Sequence, residues 1–96
     1  MVGMDDQKAI AAKITGRVQG VGYRYAVLRV AGEYGLEGWV RNTPDGSVEV
    51  WAQGNAAVLA ELVAFLREGP RSARVHSVDV RSVESDATLE GFRVRS

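Results

Sequence analysis

Residues 8–24 read Lys8-Ala9-Ile10-Ala11-Ala12-Lys13-Ile14-Thr15-Gly16-Arg17-Val18-Gln19-Gly20-Val21-Gly22-Tyr23-Arg24, and a change of rhythm inside this stretch decides the fold. Up to Thr15 the residues alternate, with Ile10, Ala12 and Ile14 on one face, as in a strand with one side buried. Gly16, Gly20 and Gly22 break the alternation and mark a tight loop. From Tyr23 the period lengthens. Tyr23, Val27, Val30, Ala31 and Tyr34 fall at i, i+4, i+7, i+8 and i+11, one face of a helix, and Gly35 supplies its stop.

Working outward, Leu36–Asn42 and Ser47–Gln53 read as two strands joined by Thr43-Pro44-Asp45-Gly46, a strong turn sequence. Leu36, Gly38, Val40 and Asn42 share one face of the first, and Val48, Val50 and Ala52 one face of the second. A second helix follows over roughly 56–67, with Val58, Leu59, Leu62, Val63 and Leu66 as its stripe and Gly69-Pro70 as its end. Val75–Val83 is a fourth strand, and Phe92–Arg95 has room for a short fifth. The order βαββαβ predicts an α+β, ferredoxin-like split-βαβ sandwich with both helices on one face of an antiparallel sheet. Right-handed crossovers set the strand order as 4-1-3-2. That fold hosts many unrelated functions, so it assigns none.

With 96 residues the chain fits one domain over 1–96, residues 1–7 forming an N-terminal extension. Its 46% hydrophobic and 25% charged residues, with no long apolar run and an acidic start, predict a soluble, cytoplasmic protein with no membrane partner. The absence of cysteine removes disulfides, thiolate nucleophiles and cysteine-based metal sites, and the single histidine, His76, cannot form a cluster of nitrogen ligands. No metal and no cofactor is expected. A formal net charge of zero argues against a general nucleic-acid binder. The charge is nevertheless segregated: 7–32 holds no Asp or Glu, while Lys8, Lys13, Arg17, Arg24 and Arg29 all fall there.

Within that stretch the loop is neither a Walker loop, since no Gly-Lys-Ser/Thr closes it, nor a dinucleotide fingerprint, which needs a Gly where Tyr25 stands. What remains is strand, glycine turn and helix N-terminus, which aims free backbone N–H groups and the positive end of the helix dipole at one point. Arg24 sits where a cation opposes that dipole at a cost of about 0.3–1 kcal/mol. A bound phosphate would reverse the sign, because Arg holds phosphate oxygens bidentately. The plainer alternative is that Arg24 points to solvent or pairs with an acid such as Glu33 or Glu90.

Gly16 to Arg24 resembles the signature of the acylphosphatases. Gly35-Leu36-Glu37-Gly38-Trp39-Val40-Arg41-Asn42, followed by Asp45-Gly46-Ser47-Val48-Glu49, resembles their second block, and Gly69-Pro70 and Gly91-Phe92-Arg93-Val94-Arg95 also look like the family. The resemblance implies a ferredoxin-like fold and hydrolysis of small acyl phosphates to a carboxylate and inorganic phosphate without a cofactor; a monomer is expected. It places the catalytic residues at Arg24 and Asn42, and the phosphate cradle on the backbone of Arg17, Val18, Gln19, Gly20, Val21 and Gly22 together with Arg24. Tyr23 stands where the family commonly has Phe, which adds a polar tip near the helix start.

The residues fit that chemistry. An acyl phosphate loses a carboxylate, a weak base, so no strong general acid is required. Positioning and charge stabilisation carry most of phosphoryl transfer. Asn42, uncharged, can orient a water without repelling it; on residues alone, however, a cap on the Asn42-Thr43-Pro44 turn is the better reading. Thr43 is a candidate support for Asn42. His76 reads as an ordinary strand residue, and Trp39 and Trp51 as a cross-strand aromatic pair. Two other functions use the same features: an anion-binding module without turnover, which has no evident use for Asn42, and a nucleic-acid-binding domain stacking bases on the two tryptophans, which lacks the RNP pattern.

Overall fold

The computed structural model describes residues 7–96. Its elements are β1 (Gln7–Arg17), α1 (Tyr23–Glu33), β2 (Glu37–Asn42), β3 (Val48–Asn55), α2 (Ala56–Glu68), β4 (Arg74–Val83) and β5 (Phe92–Arg95). The expected N-terminal extension lies outside the described residues as far as residue 6; Gln7 is the first residue of β1, opposite Asn55 of β3.

The sheet order is β4-β1-β3-β2-β5. The predicted 4-1-3-2 order is present, with antiparallel neighbours throughout, and β5 adds a strand parallel to β2 at that edge. β5 reaches β2 because Gln53 anchors the preceding segment: its Oε1 accepts from the Asp86 N–H at 2.7 Å and its Nε2 donates to the Asp86 carbonyl at 2.9 Å. Phe92 and Val94 then pack against the core.

The alternation expected of each strand decides where the core lies. Ala12 and Ile14 of β1, Val40 of β2, Val48, Val50 and Ala52 of β3 and Val78 of β4 form one cluster with Tyr23, Val27, Val30 and Ala31 of α1 and Leu59, Leu62 and Leu66 of α2. Both helices therefore cover the same face. Each large side chain buried there contributes about 1.5–3 kcal/mol against exposure. On the other face Trp39 and Trp51 are direct register partners, and the guanidinium groups of Arg95 and Arg41 lie 4.4 and 5.3 Å from the Trp39 ring centre. The cross-strand pair is what those tryptophans form. Neither helix is long and apolar enough to cross a membrane.

Three of the four helix ends are closed by the protein itself. α1 ends with the Leu36 N–H on the Ala31 carbonyl at 3.0 Å and the Gly35 N–H on Gly32 at 3.1 Å, a paired closure that buries Leu36 against the helix. α2 begins at Asn55, whose Oδ1 accepts from the Ala57 and Val58 N–H groups at 2.8 and 3.4 Å. At the other end of α2 the Leu66 carbonyl faces the position of Pro70, which has no N–H to offer; the Tyr23 hydroxyl donates to it instead, at 2.8 Å. The fourth end, the start of α1, is left open.

Candidate active site

That open end is where the glycine loop delivers the chain. Gly22 is the residue at which α1 begins, with φ of 83°, and Gly20 has φ of 75°. Both are left-handed conformations that side chains with a Cβ rarely adopt. A Cβ built on either would touch nothing within 4 Å. These glycines therefore serve the turn of the backbone, and the space above them is unfilled by protein. No side chain caps α1 and no acid lies in its first turn. Among the described residues, the backbone N–H groups of Val18 to Gly22 donate to no carbonyl. Successive free amides in such a turn form a concave anion site, reinforced by the helix dipole.

Arg24, in the first turn of α1, is half-buried. The alternative that it pairs with an acid is not what the structure contains: the ion pairs among the described residues are Lys13–Asp45, Arg29–Glu33 and Arg41–Glu49. Glu33 thus serves Arg29, at 3.7 Å. Arg24 remains a partly desolvated cation beside unoccupied amides, a combination that lacks a structural payoff. Arg17 is exposed at the end of β1, opposite Arg74 of β4, while the Val18 side chain is buried in the core and fixes the loop's base. The Ser72 hydroxyl holds the far side of the loop through the Val21 carbonyl at 2.5 Å.

Asn42 closes β2, opposite Val48. Its Oδ1 is buried and accepts no hydrogen bond, which no other buried side-chain N or O among the described residues shares. Leaving such an acceptor unpaired costs about 1–3 kcal/mol. The turn-cap reading fails here, because Asp45 performs that task. Asp45 Oδ1 accepts from the Ser47 N–H at 3.0 Å and the Thr43 hydroxyl at 2.5 Å, and Oδ2 from Lys13 Nζ at 2.8 Å. The Lys13 ammonium first, then these hydroxyl and amide donors, hold the Asp45 carboxyl well below the usual carboxylate range, and Asp45 in turn raises the Lys13 ammonium above its ordinary value. Thr43 is spent on Asp45 and on the Ser47 carbonyl at 3.2 Å, so it does not support Asn42 directly.

One contact brings the two halves together. The Gln19 side-chain amide donates both its hydrogens across to the hairpin, to the Thr43 carbonyl at 2.8 Å and the Ser47 carbonyl at 2.7 Å. The glycine loop is thereby fastened beside Asn42. Sequence reasoning counted Gln19 only through its backbone; its side-chain partners lie far along the chain and leave no local signal. Tyr23, the position that departs from the family pattern, is buried with its hydroxyl on α2, and burial pushes that phenol above its ordinary value. His76 is an exposed residue of β4.

The site is thus an uncapped helix start, free loop amides and an Arg in no ion pair among the described residues, on a loop that Gln19 fastens to the hairpin carrying the unpaired Asn42 oxygen. Comparison with known proteins gives the family. A family profile described as Acylphosphatase matches residues 10–94. An acylphosphatase of Salinibacter ruber is 48% identical over 93% of this chain and 94% of its own length. The structure of an acylphosphatase from Coxiella burnetii superposes with a TM-score of 0.88 at 36% identity, covering 97% of each chain. The crystal structure of acylphosphatase from Bacillus subtilis gives 0.87 at 33% identity, covering 92% of this chain and 98% of that one. With the profile spanning both the glycine loop and the β2–β3 hairpin, the chain belongs to the acylphosphatase family.

Proposed function

We propose that the activity resides in two devices facing each other: a phosphate cradle made by Arg24 and the backbone from Arg17 to Gly22, and a water-positioning amide supplied by Asn42. The substrate is a small acyl phosphate, a dianion at its phosphoryl end. The loop amides, the start of α1 and the Arg24 guanidinium receive the phosphoryl oxygens and stabilise charge there as the transition state forms. The water oxygen attacks phosphorus in line with the acyl oxygen. The bond between phosphorus and the acyl oxygen breaks, and the carboxylate leaves with the electron pair. One proton of the water remains on the new phosphate oxygen and the other passes to a phosphate oxygen, so that the products are a carboxylate and dihydrogen phosphate.

Because the leaving group is already a stable anion, no metal or cofactor is needed to draw it away. Asn42 contributes a neutral acceptor that lines up the water without placing a negative charge near the phosphoryl group. The observation that carries this reading is the buried, unpaired Asn42 Oδ1 beside an uncapped anion site. An anion-binding module would use the cradle and leave that oxygen an unexplained cost. The reading extends to a single-domain, cytoplasmic monomer with neither nucleic acid nor membrane as partner; the zero net charge supports the first of these two exclusions.

The test is hydrolysis of benzoyl phosphate, followed by absorbance with and without EDTA, beside the Asn42→Ala variant. Turnover should be indifferent to EDTA and should fall by about 10²-fold or more in the variant, the scale of a lost orienting contact. Affinity for inorganic phosphate should hardly change. Equal losses in turnover and phosphate affinity would make Asn42 a phosphate ligand, and a folded protein without turnover would leave only the anion-binding module.

A further inference from the structure

The two devices belong to different segments of the chain. The phosphate cradle sits on the β1–α1 loop, whereas Asn42 sits at the mouth of the β2–β3 hairpin. Their relative position sets the distance from the water to phosphorus, and a rate is sensitive to that distance far more than a binding constant is. Among the described residues, every hydrogen bond between residues 17–22 and residues 42–47 comes from one side chain, the Gln19 amide. Its two acceptors are well chosen for this task. The Thr43 carbonyl belongs to the residue next to Asn42. The Ser47 carbonyl already accepts from the Thr43 N–H at 2.9 Å, so Gln19 holds both strands of the hairpin mouth at once.

We infer that the Gln19 side chain is a positioning residue that fixes the spacing between the phosphoryl group in the loop and the water held by Asn42. This rests on the hydrolytic reading of the site. Both amide hydrogens are committed to carbonyls, so the side chain has no donor left for substrate, and its effect passes through Asn42. Two consequences are peculiar to this role. Loss of the side chain lowers kcat while the cradle, complete within its own segment, keeps its affinity for inorganic phosphate. Loss of Gln19 also costs nothing further once Asn42 is gone, because residues acting through one another are not additive.

The experiment measures kcat on benzoyl phosphate and inhibition by inorganic phosphate for wild type, Gln19→Ala, Asn42→Ala and the double variant. Gln19→Ala should lose roughly 10- to 100-fold in kcat, with the phosphate inhibition constant within about threefold of wild type, and the double variant should match Asn42→Ala. Gln19→Asn, one methylene shorter and unable to span both carbonyls, should fall between wild type and Gln19→Ala. It also serves if Gln19→Ala does not fold. Undiminished kcat in the variants, parallel loss of kcat and phosphate affinity, or multiplicative losses in the double variant would each overturn the inference while wild-type turnover stands. Absence of wild-type turnover would instead remove the hydrolytic reading, and this inference with it.

Discussion

Arg24 occupies a position where the isolated protein gains nothing from it: a half-buried guanidinium, in no ion pair among the described residues, in the first turn of α1. Replacing it with Gln should therefore have opposite effects on two measurements. Without ligand, the melting temperature should hold or rise slightly, since about 0.3–1 kcal/mol of unfavourable dipole interaction is removed. The stabilisation that inorganic phosphate confers on wild type should vanish, and turnover should fall by roughly 10³-fold, the scale of a lost phosphoryl-binding Arg. A variant that still melts higher with phosphate would take Arg24 out of the cradle. This conflict was legible in the sequence because helix polarity is a local rule, and its violation shows within a few residues. Asn42 was not legible in that way. Its significance is the missing partner of one buried oxygen, and only the folded chain reveals that Asp45 has taken over the turn.

At the scale of elements, α1 and α2 are joined end to end by Tyr23, whose hydroxyl satisfies the Leu66 carbonyl that Pro70 cannot. Tyr23→Phe should destabilise the protein by about 1–3 kcal/mol by orphaning a buried carbonyl, with kcat unchanged. Burial raises the phenol above its ordinary value of 10.0. The folded form thus favours the neutral phenol more than the unfolded chain does. That contribution is complete below pH 10 and is lost as pH climbs towards the folded value. Denaturant midpoints measured from pH 8 to 11 should fall more steeply for wild type than for Tyr23→Phe, and parallel curves would remove Tyr23 from the alkaline transition. The elements themselves were readable because period-two and helical patterns are written in neighbouring residues. β5 was the marginal one: four residues carry little pattern, and its place beside β2 depends on Gln53 holding Asp86, a contact across 33 positions.

For the whole molecule, the decisive feature is that β1 lies between β3 and β4, with Ile14 facing Val48 on one side and Val78 on the other. Neither neighbour is the next strand after β1 in the chain. The first strand, whose end opens into the glycine loop, cannot be completed until the last long strand has arrived. Such topologies spend chain entropy before contacts repay it, and mixed α/β domains fold more slowly than helical bundles. Catalysis should accordingly behave as a clock for assembly. In a refolding jump from urea, turnover should return in the same kinetic phase as the fluorescence of Trp39 and Trp51. Turnover recovered ahead of the tryptophan signal would mean that the loop and the hairpin mouth meet before the sheet closes. If the two signals return together, a newly made chain stays catalytically silent until the residues of β4 have left the ribosome, however early its Arg24 and Asn42 have emerged.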